Sequence, residues 1–253
     1  MRDVTMQFEE KKVLDGLSLK VRQEDRLVIM GQSGSGKSTI LRLILGILRP
    51  NSGSIFFKQF EITRLSPRKL QQVRRKIGMV YQYSALLSSR TVRDNVALPL
   101  EELTDKSREE IDKIVDEKLE LVGMKDAKDR LPSELSGGMK KRVSLARALV
   151  LDPELMLFDE PVAGLDPVMA SVIDELIISL TEKSKVTSII VTHEMESAFR
   201  IGTRMAMLYQ GKIIEDAEPE RFKKSKNPVV QQFLSGSTEG PILKDSQDAI
   251  ATK

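Results

Sequence analysis

The chain has 253 residues, of which 40% are hydrophobic and 30% are charged, so it is long enough to bury a core and is not biased towards disorder. A formal net charge of +3 and an aromatic content of 4% give no support for nucleic acid as a partner. The absence of cysteine excludes a disulfide framework and fits a reducing compartment. We find neither an apolar run of about 20 residues, as a membrane span needs, nor the apolar core of a signal peptide. Any membrane role is therefore expected to depend on a partner.

A glycine-rich segment at residues 31–38 fits the pattern G-x-x-x-x-G-K-S of a phosphate-binding loop. The apolar run Arg26–Met30 predicts a buried strand before it, and the helical spacing of apolar residues over 38–48 predicts a helix after it. Glycines let the backbone turn tightly, so that its N–H groups point at phosphates. Lys37 is expected to reach the β- and γ-phosphates of ATP, and the Ser38 hydroxyl to bind Mg²⁺. The expected nucleotide contacts are Gly31, Gln32, Ser33, Gly34, Ser35, Gly36, Lys37, Ser38 and Thr39.

The spacing of apolar residues in the middle of the chain differs from that at its two ends. Residues 91–149 are predicted to be mainly helical, and the clearest helix covers 107–122, where Ile111, Val115 and Leu119 share one face. The segments on either side alternate short strands with helices, which predicts a parallel-rich α/β sheet. The sequence has no internal repeat, so the chain is expected to supply one ATPase unit.

Two acids, Asp159 and Glu160, follow the apolar run 155–158. Alone, such a pair would indicate only that a buried strand meets solvent. Together with a phosphate loop, Asp159 is suited to hold Mg²⁺ and Glu160 to act as general base on the attacking water. Phosphoryl transfer needs mainly positioning and charge stabilisation. The two motifs therefore predict ATP hydrolysis.

A third motif lies between the first two, at residues 135–139, with the sequence Leu-Ser-Gly-Gly-Met and a basic triplet behind it. A serine that caps an ordinary basic helix would also explain it. In the order phosphate loop, this motif, then the two acids, it resembles the signature of the ABC ATPases. The resemblance implies an α/β fold: a P-loop NTPase (RecA-like) core with an antiparallel β subdomain and an inserted helical subdomain that carries the signature.

The same resemblance implies a domain organisation and a homodimer. One ABC ATPase domain is expected over residues 1–235, followed by a C-terminal tail at 236–253. Within the domain, 1–86 and 150–235 form the α/β core and 87–149 the helical subdomain. In the family, the signature serine and glycines bind the γ-phosphate of ATP held by the other subunit. These residues are Ser136, Gly137 and Gly138.

Four further residues match smaller motifs of the family. Gln82 matches the glutamine that senses Mg²⁺ and the γ-phosphate and links to a membrane partner, and Asp166 matches the loop that crosses the dimer interface. His193, the single histidine, matches the switch residue that contacts the γ-phosphate, although a lone histidine is more often structural. Phe8 resembles the aromatic residue that stacks on adenine. The family more often has tyrosine there, and a phenylalanine near a strand is commonly part of a core.

Three stretches resemble one branch of the family, the ATPase subunits of Mla-type, or Mce-associated, lipid transporters. They are residues 81–100, the signature with Met139 where most importer ATPases have glutamine, and residues 228–242. The resemblance implies phospholipid or a related lipid as cargo, a multipass permease that docks near Gln82, and an Mce-type lipid-binding partner. It also implies a cytoplasmic, peripheral position on a bacterial inner membrane, with the plastid stroma as the alternative.

Two alternatives to lipid transport stay open. An ABC transporter for another cargo, such as amino acids or lipoproteins, would use the same ATPase motifs. ABC ATPases also act on ribosomes or DNA, but these usually carry two ATPase units or long coiled coils, and the sequence has neither.

The C-terminal segment carries two weaker expectations. Val230, Phe233 and Leu234 are expected to leave apolar surface on a terminal helix within 229–242, which would allow it to clasp a dimer. Residues 244–253 are polar and lack periodicity, which predicts disorder.

Overall fold

Buried apolar runs form a six-stranded sheet at the centre of the molecule, for which the computed structural model describes residues 1–243. In spatial order its strands are β11 (Lys212–Ala217), β10 (Arg204–Tyr209), β3 (Arg26–Met30), β9 (Thr187–Val191), β8 (Leu155–Asp159) and β7 (Ile77–Val80). The strands from β10 to β7 are parallel, and β11 is antiparallel to β10. The central strands are buried along most of their length, as in sheets covered by helices on both faces.

A smaller antiparallel sheet packs beside the central one. It consists of β2 (Lys11–Leu17), β1 (Arg2–Phe8) and β4 (Ser52–Ser54), and a hairpin of β5 (Phe56–Phe57) and β6 (Phe60–Glu61) follows. The backbone N–H of Asp15 donates to the carbonyl of Gly211 at 3.0 Å, which ties β2 to the turn between β10 and β11. The predicted fold class, an α/β core with an antiparallel β subdomain, is confirmed.

Helices cover the sheet and fill the segment between β7 and β8. They are α1 (Lys37–Ile44), α2 (Pro67–Arg74), α3 (Val92–Leu103), α4 (Arg108–Leu121), α5 (Gly137–Leu149), α6 (Pro167–Ser184), α7 (Met195–Ile201), α8 (Pro219–Lys223) and α9 (Pro228–Ser235). Helices α3, α4 and α5 pack against one another, which gives the predicted helical segment. Within residues 1–243, no helix is both long enough and apolar enough to span a bilayer.

The two faces of the sheet bury separate hydrophobic clusters. Val28 and Met30 of β3 belong to one cluster and Leu27 and Ile29 to the other, because successive side chains of a strand point to opposite faces. The first cluster contains apolar residues of α3, α4, α5 and α6, and the second contains those of α1 and the antiparallel sheet. The sheet is therefore fixed on both sides, and its strand ends are rigid supports for side chains.

The observed bounds of α4 and α1 can be compared with the helices predicted from the sequence. The helix predicted at 107–122 is confirmed as α4: the hydroxyl of Ser107 accepts from the N–H of Glu110, whose carboxylate accepts from the N–H of Ser107. The helix predicted at 38–48 is too long, since α1 ends at Ile44. Gly46 adopts a φ of +64°, a left-handed conformation that stops the helix, while the apolar side chain of Leu45 remains buried.

The C-terminal helix α9 corrects a further expectation. Val230 is fully buried, so the prediction that it leaves apolar surface is wrong, whereas Phe233 and Leu234 pack against the same cluster as the helical segment and stay partly exposed. Clasping of a dimer by this helix stays a prediction. Part of the predicted tail also packs on the chain, because the buried N–H of Ile242 donates to Gln232 Oε1 at 2.8 Å. Residues 244–253 lie outside the described residues.

Candidate functional site

Four of the motifs found in the sequence lie at the same edge of the central sheet. The phosphate loop follows β3, the two acids end β8, and His193 follows β9. Gln82 follows β7 in the same way. Because these strands are parallel, their carboxyl ends lie at the same edge, where open α/β sheets commonly bind ligands.

The loop between β3 and α1 has the backbone geometry of an anion site. Gly36 precedes α1 with a φ of +102°, and no side chain caps the helix, so its first N–H groups stay available for an anion. Gly31 approaches the backbone so closely that a Cβ there would lie 2.6 Å from the carbonyl oxygen of Leu208. The hydroxyl of Ser35 is buried without a partner among the described residues. These features fit a phosphate chain that this loop would enclose.

Lys37 supplies the positive charge of the loop. Its Nζ donates to the carbonyls of Gly31 at 2.8 Å and Gln32 at 3.0 Å, and it lies 3.9 Å from Glu160 Oε1. Burial lowers the pKa of Lys37, while the charges of Glu160 and Asp159 act in the opposite direction. An ammonium held in this way is ready to bind a phosphate anion, whose charge would further stabilise its protonated form.

Ser38 and Asp159 form the best candidate for a cation site. The Ser38 hydroxyl donates to Asp159 Oδ1 at 2.8 Å. Burial raises the pKa of Asp159, and the hydrogen bond from Ser38 partly offsets that rise. Within residues 1–243, no group of three or more His, Cys, Asp or Glu side chains is placed to hold a metal. Hydroxyl and carboxylate oxygens suit Mg²⁺, which takes further ligands from phosphate and water.

Glu160 is held in one orientation by three contacts. Its Oε1 lies 2.9 Å from His193 Nδ1, its Oε2 accepts from the backbone N–H of His193 at 3.3 Å, and Lys37 completes the set. The Glu160 backbone adopts a φ of +49°, a strained conformation for a residue other than glycine. His193 is 49% exposed and so reaches solvent, whereas the carboxylate is almost buried. The geometry suits a carboxylate that takes a proton from a positioned water.

Gln82 is joined to this site by Lys141, a residue that the sequence analysis does not single out. The carbonyl oxygen of Gln82 accepts a hydrogen bond from Lys141 Nζ at 2.5 Å. Lys141 is 5% exposed, and burial lowers its pKa to about 8 against the opposing charges of Glu160 and Asp159. The spacing of residues along α5 could have indicated that Lys141 is buried, because Lys141 shares a helix face with Gly138 and Leu145, which are buried.

The signature residues lie apart from the phosphate loop of the same chain. Ser136 caps α5 through its hydroxyl, which accepts from the N–H of Met139 at 3.3 Å. A Cβ at Gly138 would lie 2.6 Å from Met169 Cε, the flexible end of a side chain of α6, so α5 contacts α6 at this position. Across residues 1–243, no hydrogen bond or ion pair joins Ser136, Gly137 or Gly138 to the loop. Ser136 and Gly137 are instead exposed.

Asp166 and Phe8 are two further residues predicted from the sequence. The carboxylate of Asp166 caps α6 by accepting from the N–H groups of Val168 and Met169, both at 3.0 Å. Phe8 ends β1 with 41% of its surface exposed, so it is not a core residue. The adjacent strand β2 touches the phosphate loop, because the side chain of Val13 lies against Gly36. Stacking of Phe8 on adenine stays a prediction.

The chain resembles known proteins over most of its length. Residues 14–163 match the family model described as ABC transporter. The chain is 41% identical to the intermembrane phospholipid transport system ATP-binding protein MlaF of Haemophilus influenzae, over 96% of this chain and 92% of that protein. It is also 41% identical to the chloroplastic protein TRIGALACTOSYLDIACYLGLYCEROL 3 of Arabidopsis thaliana, over 95% of this chain and 74% of that protein.

A solved structure gives the same result for the fold. The dimeric, post-hydrolysis ATP-binding cassette MJ0796, bound to ADP and Pi, superposes with a TM-score of 0.78 at 31% identity. The match covers 86% of this chain and 97% of that structure.

Gly36→Ala tests the geometry of the loop. A Cβ at this position would lie 2.7 Å from Val13 Cγ1, a stiff β-branched side chain, and the φ of +102° would be strained. We expect the affinity for a fluorescent ATP analogue to fall about tenfold or more, since the N–H groups would no longer converge on the phosphates. The matched control is Gly236→Ala, where φ is also positive but a Cβ meets nothing within 4 Å. Equal affinities for the two variants would contradict the assignment.

Proposed function

The chain belongs to the ABC transporter family, and we propose that it powers phospholipid transport between membranes. Hydrolysis of ATP is the activity of the family, and the site at the sheet edge carries the groups that the reaction needs. This part of the proposal is carried by direct contacts among the motif residues. Ser38 contacts Asp159, and Glu160 contacts both Lys37 and His193.

We assign the chemical steps to these residues as follows. Lys37 and the loop N–H groups bind the β- and γ-phosphates, and Ser38 with Asp159 holds Mg²⁺. Bound Mg²⁺ supplies positive charge that offsets the charge developing on the phosphates. Glu160 takes the proton of the attacking water, and His193 keeps the carboxylate oriented and contacts the γ-phosphate. Gln82 orients the same water and the metal from the β7 side.

The site needs a second copy of the chain for completion. Ser136 and Gly137 are exposed and have no bond to the phosphate loop of their own chain, within the part that the structure describes. The solved relative is a dimer. In the proposed homodimer, the signature of one copy closes over ATP held by the other. Asp166, at the start of α6 and next to the signature glycines, lies at that interface.

The proposed cargo and partners follow from the curated relatives and from the surface beside Gln82. The H. influenzae relative is named for intermembrane phospholipid transport, and the match extends over nearly the whole of both chains. Tyr83 is 87% exposed, and Tyr81 and Leu87 are also exposed, so an aromatic and apolar surface lies next to Gln82. Such a surface suits a short helix of a multipass permease. An Mce-type lipid-binding protein would complete the transporter.

We divide the ATPase domain into an α/β core at 1–86 and 150–235 and a helical subdomain at 87–149, with the signature on α5. A peripheral position on the cytoplasmic face of a membrane follows if the permease is the membrane anchor.

Glu160→Gln tests the assignment of the base. The variant keeps the shape of the side chain but cannot accept the proton of water, so we expect turnover to fall about 100-fold or more while ATP binding persists. The measurement is steady-state phosphate release beside binding of a fluorescent ATP analogue. Glu154→Gln is the matched control. Glu154 lies directly before β8, the strand that Glu160 follows, and it pairs with Lys76 instead of the site. Undiminished hydrolysis by Glu160→Gln would reject the role.

A mixing experiment tests action across the dimer interface. Subunits with Ser136→Arg or Lys37→Ala are each expected to form inactive homodimers, because every site then has one defect. Mixed dimers have one intact site if the signature serves the partner, so about a quarter of wild-type activity is expected after random exchange. If the signature served its own chain, both subunits of the mixed dimer would be defective and the mixture would stay inactive.

Co-purification tests the cargo. Mild solubilisation of membranes that contain the tagged chain is expected to recover a multipass permease and an Mce-type protein with bound phospholipid. Substitution of Tyr83 by Glu should reduce recovery of the permease without changing ATP binding, because it places a charge in the apolar surface. Recovery of an amino-acid permease, ribosomes or DNA as the sole partner would contradict lipid transport.

A further inference from the structure

Helix α5 holds the segment that follows β7 through two cations. Lys141 Nζ donates to the carbonyl of Gln82 at 2.5 Å, and the guanidinium of Arg147 donates to the carbonyls of Ser84 and Ala85, both at 2.7 Å. Ser84 and Ala85 have φ values of +61° and +47°, which are strained for residues other than glycine. The position of Gln82 therefore depends on bonds to the helix that begins with the signature.

Lys141 also reaches the strand that carries the proposed base. Its Nζ donates to the backbone carbonyl of Glu160 at 3.3 Å, in addition to the bond with Gln82. One buried ammonium thus joins three parts of the chain: the end of β7, the end of β8 and α5. Within residues 1–243, no carboxylate forms an ion pair with Lys141. Burying a charge is costly unless other groups compensate, and here the two carbonyls and the negative charges of Glu160 and Asp159 offset that cost.

We propose that Lys141 is a positioning residue for ATP hydrolysis, because its ammonium fixes the backbones of Gln82 and Glu160 relative to each other and to the signature helix. This inference rests on the proposed roles of Gln82 and Glu160. It assigns to Lys141 no contact with nucleotide, metal or water. The residue acts by holding two groups that must meet at one attacking water.

The placement on α5 gives the contact a second consequence. Lys141 lies five residues after Ser136 on a continuous helix, or about 7.5 Å along its axis. Packed helices move as rigid elements, so a shift of α5 when Ser136 meets the nucleotide of a partner is passed directly to Gln82 and Glu160. Engagement of the signature and alignment of the catalytic groups are thereby linked within one chain.

Lys141→Met is the direct test, since methionine fills a similar volume without a donor. We expect kcat per nucleotide-binding site to fall about tenfold or more, with the KM for ATP changed less than about twofold, because the phosphate loop keeps its contacts. Binding sites are counted with a fluorescent ATP analogue, so that unfolded protein does not enter kcat. Lys141→Arg and Lys141→Gln retain donors and are expected to restore much of the lost kcat.

The control is Lys113→Met, the same change at an exposed lysine of α4, which is expected to leave kcat and KM unchanged. If Lys141→Met gives little folded protein, Lys141→Ala replaces it, because the smaller side chain leaves room for water at the two carbonyls. A wild-type kcat per binding site in the folded donor-free variant would overturn the proposal, as would an equal loss in the variants that retain donors.

The outcomes separate this inference from the proposed function. An inactive Glu160→Gln combined with a fully active Lys141→Met would leave the base assignment intact and reject only the positioning role. Full activity of Glu160→Gln would reject the base assignment itself, whatever Lys141→Met shows.

Discussion

The parallel order of β3, β9 and β8 is the constraint on which the candidate site depends. It brings residues that are far apart in sequence to one edge of the sheet, as the hydrogen bond between Ser38 and Asp159 shows: it spans 121 residues and measures 2.8 Å. Hydrophobic clusters on both faces fix this edge. The charged groups of the site therefore stand at the ends of strands that are packed on both faces.

Electrostatics and backbone strain are concentrated at this edge. Lys37 and Lys141 are buried and Asp159 is half-buried; burial lowers the pKa of the two lysines and raises the pKa of Asp159, which favours the neutral form of each. Glu160 has a left-handed backbone, which is strained. Buried charges and backbone strain destabilise a fold unless packing compensates. Perturbed pKa values are common at functional sites. The signature residues Ser136 and Gly137 are exposed and form no bond to the phosphate loop within residues 1–243, as the proposed sharing of each ATP between two copies requires.

Much of the site was predictable from sequence because its motifs combine local backbone chemistry with fixed spacing. The strand before the phosphate loop, helix α4 and the α/β class all follow from such local signals. The end of α1 at Ile44 was not predicted, since Gly46 is a single residue in an otherwise apolar pattern. Burial of Val230 and the bonds of Lys141 depend on segments distant in sequence, and periodicity alone does not identify those partners.

The central claim is that two copies of the chain share each ATP. A crystal structure of the Glu160→Gln variant with ATP and Mg²⁺ tests it most directly. The account predicts two copies in opposite orientation, with each γ-phosphate bound by Lys37 of one copy and by Ser136 and Gly137 of the other. A nucleotide enclosed by one copy alone, with the signature turned away from every phosphate, would contradict the account.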